Sequence, residues 1–128
     1  MCLGYRYLRG GEEEKLEKLR KVLLEEGKVL LAVVFGSFVE LESYRDVDVA
    51  VYSLDNSIGY LAKLDARLEE ILGTPVDIVP LTELDPELQL KVLSKEVVVV
   101  EKQPGLYKAL VKIAYEDMLH RKNIVGRH

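Results

Sequence analysis

The chain has 128 residues, of which 48% are hydrophobic and 31% charged, with a formal net charge of -4 at pH 7. This composition predicts one globular domain, residues 1–128, with a real core. A net acidic chain argues against a protein that binds duplex DNA, and Cys2, the single cysteine, excludes a disulfide framework and a cysteine-based metal cluster. No apolar run is long enough to span a membrane and no signal-peptide pattern is present, so we expect no membrane contact and a cytoplasmic protein. The excess of Glu and Lys over Asn and Gln is typical of a heat-loving source.

Hydrophobic periodicity divides the chain into eight elements. Apolar residues at helical spacing predict helices at 11–27, 57–72, about 85–93 and 104–120. In the second helix the predicted apolar stripe is Ile58, Leu61, Leu64, Leu68 and Leu72. Pro104 is placed in the first turn of the last helix, where its missing N–H costs nothing. Runs of branched apolar residues predict strands at 29–35, 47–52, 75–81 and 96–101.

The order of these elements is helix, strand, strand, helix, strand, helix, strand, helix. It predicts an α/β (α+β) domain in which helices pack on a sheet of about four strands. Roughly ten residues join the first two strands, too few for a parallel crossover through a full helix. We therefore expect a mixed sheet.

Three aspartates interrupt strands that are otherwise apolar. Asp46 and Asp48 lie on one face of the second strand, opposite its valines, and Asp77 lies between Val76 and Ile78 in the third. Carboxylates this close repel one another unless cations or hydrogen-bond donors compensate. If the two strands pair, all three carboxylates converge on one or two hard cations. The alternative is a solvent-facing strand with ordinary polar alternation.

The ligand types favour magnesium over zinc, because no His or Cys joins the three carboxylates. The Gly36-Ser37 step closes the first strand, where glycine lets backbone N–H groups approach an anion and serine adds a hydroxyl. A triphosphate between this step and the cations is the ligand we expect, with helix capping by Ser37 as the alternative.

At these residues the chain resembles the minimal nucleotidyltransferases (MNT) of the DNA polymerase β superfamily. Their signature, an apolar residue followed by Gly and Gly or Ser, and later Asp, apolar, Asp, is matched by Phe35-Gly36-Ser37 and Asp46-Val47-Asp48. Asp77 matches the later third carboxylate, and the similarity extends through the final helix. The resemblance implies the palm-like nucleotidyltransferase fold of that superfamily.

The resemblance also implies an activity. Asp46, Asp48 and Asp77 would be the catalytic and metal-binding residues for two Mg²⁺ ions, Gly36 and Ser37 would bind the nucleotide, and AMP would pass from ATP to a hydroxyl. Stand-alone members are often paired with a helical HEPN toxin and act as its antitoxin by transferring AMP to a toxin tyrosine, so a HEPN-type partner is implied here. The sequence does not decide between a monomer and a homo-oligomer.

Two other functions stay open. Eight residues separate Ser37 from Asp46, slightly fewer than the family pattern, and this favours a catalytically degenerate module that binds a partner without modifying it. A weaker alternative is transfer to a small molecule such as an aminoglycoside.

Overall fold

A computed structural model of the chain describes residues 10–35, 47–94 and 97–126. Within these ranges the chain has four helices and four strands, and a short 3₁₀ helix, Leu81–Glu83, follows the third strand. In chain order the elements are α1 (Gly10–Glu25), β1 (Val29–Phe35), β2 (Val47–Ser53), α2 (Ile58–Leu72), β3 (Val76–Pro80), α3 (Pro86–Leu93), β4 (Val97–Glu101) and α4 (Leu106–Gly126).

The four strands form one mixed sheet in the order β3-β2-β1-β4. β1 is antiparallel to both β2 and β4, whereas β2 and β3 run parallel and are connected through α2. A full helix in the β2–β3 connection is what a parallel crossover needs, and the shorter β1–β2 connection yields an antiparallel pair. The predicted mixed α/β fold is confirmed.

Helices cover both faces of the sheet and create two core layers. On the first face, α1 and α2 pack against Val47, Val49 and Val51 of β2, among other residues. On the second face, α3 and α4 pack against Leu31 and Val33 of β1 and against a set of mostly aliphatic neighbours. Because successive side chains of a strand point to opposite faces, β1 contributes to both layers. Its continuous apolar sequence is explained by this double burial.

A side-chain cap begins α2 and a glycine ends it. The Ser57 hydroxyl accepts a hydrogen bond from the N–H of Tyr60 at 3.3 Å, and Gly73 ends the helix with a left-handed φ of 71°. Leu64, Leu68 and Leu72 are buried as predicted, but Ile58 is 87% exposed. The predicted apolar stripe was wrong at Ile58, the first residue of α2, whereas Leu61 in the same turn is partly buried against the core.

The start of α4 also differs from the prediction. Pro104 lies in a turn, and the helix begins at Leu106. Gly105 has a φ of 86°, a left-handed conformation that a helical residue does not adopt, so it separates the proline from the helix. α4 then continues to Gly126, beyond the predicted end at residue 120.

A polar cluster attaches α1 to α2 at the end of the sheet where β2 finishes. The Glu26 carboxylate accepts a hydrogen bond from the Tyr60 hydroxyl at 2.8 Å and another from Arg67 at 2.8 Å. Burial and the Glu26 charge raise the pKa of Tyr60 above its ordinary value, so the phenol remains a donor. Across residues 10–35, 47–94 and 97–126, no helix is both long and apolar enough to cross a membrane.

Candidate active site

Asp48 is the second residue of β2 and therefore lies at the amino-terminal end of this strand. It is half-buried, whereas its neighbours Val47 and Val49 are fully buried in the α1/α2 layer. Ala50, two residues along and therefore on the same face as Asp48, belongs to the α3/α4 layer. Asp48 thus lies at one end of the face that α3 and α4 cover.

Asp77 is placed beside Asp48 by the parallel pairing of β2 with β3. The register joins Val47 to Val76 and Asp48 to Asp77. Paired residues in neighbouring strands point to the same face, and the strands lie about 4.8 Å apart. Accordingly, Val76 packs in the α1/α2 layer, and Asp77, which is exposed, shares the face of Asp48. The predicted meeting of these two aspartates is present, while their role as catalytic metal ligands stays a prediction.

The other predicted site residues, Gly36, Ser37 and Asp46, lie outside the described residues. The residues that flank them are described. Phe35, which precedes Gly36, is the antiparallel partner of Asp48, and Val47, which follows Asp46, is the partner of Val76. Both flanking residues are therefore at the end of the sheet that carries the two aspartates.

The chemistry of the pair fits a hard divalent cation. Two carboxylates on adjacent strands offer oxygen ligands only, and Mg²⁺ is bound in proteins by one or two carboxylates together with water and substrate phosphates. Among the described residues, no group of three or more His, Cys, Asp or Glu side chains is positioned to hold a metal ion. Asp48 and Asp77 alone would supply part of such a site, and Asp46 is the predicted third ligand.

The turn between α2 and β3 is held by hydrogen bonds that determine where Asp77 lies. The Glu69 carbonyl accepts from the N–H of Gly73 at 2.8 Å, and the Glu69 carboxylate accepts from the N–H of Val76 at 2.9 Å. The Pro75 carbonyl accepts from the N–H of Val47 at 2.9 Å, which starts the β2–β3 ladder. These hydrogen bonds hold Gly73, Pro75 and Val76, which precede Asp77 in the chain.

Asp65, one helical turn before Glu69, has a perturbed ionisation. Burial first, then the negative charge of Glu69 and a shared hydrogen bond with it, and finally the charge of Asp77 raise the pKa of Asp65 to about 6. One of its carboxylate oxygens, Oδ1, is buried without a hydrogen-bond partner. The edge of the sheet beside Asp77 is therefore strongly acidic.

Sequence reasoning missed Glu69 and Asp65. Both lie in α2, and in the sequence they look like ordinary solvent-facing helix residues, as Glu70 does. The hydrogen bond from Val76 to Glu69 joins residues seven positions apart across a turn, and no spacing rule indicates such a contact. The unusual ionisation of Asp65 depends on the same packing.

Residues 17–105 match the model of the family described as "Polymerase beta, Nucleotidyltransferase". This range contains all of the predicted site residues. A putative protein adenylyltransferase of Methanocaldococcus jannaschii is 33% identical over 83 residues, which cover 62% of this chain and 88% of the relative.

Solved structures with the same fold come from toxin–antitoxin systems. The toxin–antitoxin MntA-HepT matches with a TM-score of 0.71 at 19% identity, covering 90% of this chain and 93% of that one. A toxin–antitoxin with AMP-PNP matches with a TM-score of 0.74 at 21% identity, covering 88% and 93%. A chain from the complex described as a tri-AMPylated Shewanella oneidensis HEPN toxin with an MNT antitoxin matches with a TM-score of 0.72 at 20% identity. The match covers 91% of this chain and 93% of that chain. At these identities the likeness concerns the fold alone.

Proposed function

Since this chain belongs to the polymerase beta nucleotidyltransferase family, we propose that it transfers AMP from ATP to a hydroxyl group in a Mg²⁺-dependent reaction. The membership confirms the resemblance predicted from the sequence and the class of activity. The observation that carries the proposal is the register of Asp48 with Asp77 on one face of the sheet. Adjacent carboxylates on one face of a sheet repel each other, and a metal-dependent transferase uses such a pair to hold its cation.

Asp48, Asp77 and Asp46 are the residues that would hold Mg²⁺. Mg²⁺ held there would lower the pKa of an acceptor hydroxyl and neutralise charge on the departing pyrophosphate. Gly36 and Ser37 would bind the triphosphate through backbone N–H groups and a hydroxyl.

In the transfer, the acceptor oxygen attacks the α-phosphorus of ATP, and the bond from that phosphorus to the bridging oxygen breaks. The exposed Asp77 carboxylate takes the acceptor's proton, and pyrophosphate leaves with the electron pair of the broken bond. The products are an AMP ester of the acceptor and pyrophosphate. Asp77 suits the proton transfer because it lies at the sheet edge, where an acceptor can reach it.

The acceptor we propose is a tyrosine of a HEPN-type protein, so that the chain acts as an antitoxin. Three likenesses support this choice: the M. jannaschii relative is called a putative protein adenylyltransferase, one structural neighbour is a complex with a tri-AMPylated HEPN toxin, and another contains AMP-PNP. The reaction itself requires only an accessible hydroxyl, so the choice of acceptor rests on these relatives.

The test is to incubate the chain with ATP, Mg²⁺ and a HEPN-type protein from the same genome, and to measure the intact mass of that protein. We expect an adenylyl increment that disappears with EDTA and when the target tyrosine is replaced by Phe. Asp77→Asn should slow transfer at least about a hundredfold, because losing a metal ligand removes several kcal/mol of transition-state stabilisation. Glu83→Gln, which removes an exposed carboxylate beyond the other end of β3, is the matched control.

A stable complex in which the partner's mass does not change would refute catalysis. It would select the alternative function, a module that binds its partner without modifying it. Transfer to a small molecule in the absence of any protein acceptor would instead refute the proposed acceptor.

A further inference from the structure

We propose that Glu69 is a positioning residue for the transfer, acting through the backbone of β3 to hold Asp77 beside Asp48. This inference rests on the proposed function for its catalytic consequence. Its structural part depends only on contacts within the chain. Glu69 touches neither nucleotide nor metal in this scheme, and its effect is transmitted through Val76, the residue before Asp77.

The key contact is the hydrogen bond from the N–H of Val76 to Oε2 of Glu69, at 2.9 Å and partly buried. The carbonyl of Glu69 also accepts from Gly73 at 2.8 Å. Glu69 therefore binds the residue that ends α2 through its backbone carbonyl and the first residue of β3 through its side chain. Because Glu69 belongs to α2, these bonds make the position of Val76 depend on α2 as well as on β2.

Val76 would otherwise be short of a partner. β3 is at the edge of the sheet and has β2 on one side only. In a parallel ladder the N–H groups of successive residues point to opposite sides of the strand, and the bond from Val47 to the Pro75 carbonyl sets this alternation. The N–H of Val76 then points away from β2, where the Glu69 carboxylate meets it.

The consequence for Asp77 follows from strand geometry. β3 has five residues, Val76–Pro80, so few ladder bonds fix its register. A shift of one residue turns every side chain of a strand to the opposite face. It would remove Asp77 from the face of Asp48 and place Val76 or Ile78 there. By fixing Val76, Glu69 keeps the carboxylate of Asp77 on the productive face.

Three substitutions separate the hydrogen bond from the charge. Glu69→Gln keeps an acceptor oxygen of the same reach but removes the charge. Glu69→Asp keeps the charge but shortens the side chain by one methylene, so its oxygens no longer reach Val76. Glu69→Ala removes both. Glu70→Ala, at the next and exposed position of α2, is the matched control for the loss of a helical glutamate.

Two readouts do not require activity: amide hydrogen exchange of Val76 by NMR, and binding of Mn²⁺ together with AMP-PNP by calorimetry. In Glu69→Ala and Glu69→Asp we expect Val76 to lose protection and Mn²⁺ affinity to fall about 10- to 100-fold, as for residues that orient metal ligands. Glu69→Gln and Glu70→Ala should stay within about threefold of the wild type in affinity, the size of change that distant surface substitutions produce.

The transfer assay adds a third readout. In Glu69→Ala and Glu69→Asp we expect kcat to fall even at saturating Mg²⁺ and ATP, and KM for ATP to rise with the loss of metal affinity, whereas Glu69→Gln should retain both values. The inference would be overturned if the Val76 amide exchanged as slowly in both Glu69→Ala and Glu69→Asp as in the wild type. It would also be overturned if Glu69→Gln lost as much Val76 protection and Mn²⁺ affinity as Glu69→Ala. If Glu69→Ala does not fold, the comparison of Glu69→Asp with Glu69→Gln decides. If the wild type transfers no AMP, the proposed function fails, yet exchange and Mn²⁺ binding still test Glu69.

Discussion

Replacing Asp77 by Asn should stabilise the metal-free protein while removing its response to magnesium. The substitution preserves the shape of the side chain and deletes one of two charges that face each other across the β2–β3 ladder. Carboxylates that bind a cation repel one another when the cation is absent, and this repulsion opposes folding. Removing one of them should therefore stabilise the metal-free protein.

The size of the effect follows from the strand spacing. Two carboxylates about 5 Å apart repel by about 1 kcal/mol at the dielectric of water and by about 3 kcal/mol at an effective dielectric of 20. Asp77 is exposed and Asp48 half-buried, so the lower figure applies. A gain of about 1 kcal/mol corresponds to a rise in Tm of about 3–5 °C for a chain of this length. Relief of the Asp77 charge on Asp65 acts in the same direction.

The assay is thermal or urea unfolding in EDTA and then in increasing MgCl₂ at constant ionic strength. At ten times its Kd, Mg²⁺ should stabilise the wild type by about 1.4 kcal/mol, and Asp77→Asn by much less. Glu83→Gln makes the same change in net charge far from Asp48 and should respond like the wild type. An Asp77→Asn protein that is less stable than the wild type in EDTA, or that gains as much from Mg²⁺, would refute this reasoning.

Three further substitutions test the packing around the site. Burial raises the pKa of Asp65 to about 6, so the folded state keeps a proton that the unfolded carboxyl loses near its ordinary pKa of 3.8. The stability of the wild type relative to Asp65→Asn should therefore fall as pH rises from about 4 to about 6, and above pH 6 Asp65→Asn should be the more stable protein by about 1–2 kcal/mol after allowance for solvent screening. Gly73→Ala should cost about 1 kcal/mol in urea unfolding, because φ is 71° although nothing lies within 4 Å of the added Cβ. Tyr60→Phe should cost about 1–2 kcal/mol by removing the hydrogen bond to Glu26, and a double-mutant cycle with Glu26→Ala, which removes the acceptor, should show coupling.

Each of these predictions has a contradicting result. Parallel stability–pH curves for the wild type and Asp65→Asn would show that Asp65 titrates normally. A neutral Gly73→Ala would show that the turn before β3 tolerates another conformation. Additive effects of Tyr60→Phe and Glu26→Ala would show that the hydrogen bond between these side chains is not formed in solution.

The strands and their faces could be predicted because the pattern of apolar and polar residues in each strand matches which of its faces are buried. β1 is apolar throughout and buried on both faces, and β2 alternates valine with aspartate and alanine. Two local errors have local causes. Ile58 continues the apolar pattern of α2 but is the first residue of the helix and its side chain is exposed, and Gly105 prevents Pro104 from joining α4.

One part of the candidate site could be predicted from the sequence and another part could not. The pairing of Asp48 with Asp77 could be predicted, because each interrupts an apolar strand and adjacent strands align such interruptions. Glu69 could not be predicted, because its contact with Val76 depends on how α2 ends and how the following turn bends. In the sequence nothing distinguishes it from Glu70. Contacts that cross a turn between elements are determined by packing, which periodicity does not encode.

The most direct test of the central claim is a crystal structure of this chain with Mg²⁺ and AMP-PNP. We expect Mg²⁺ at about 2.1 Å from carboxylate oxygens of Asp48 and Asp77, with the triphosphate bound to the same ion. A nucleotide bound elsewhere, or Mg²⁺ on the triphosphate with neither aspartate among its ligands, would contradict it.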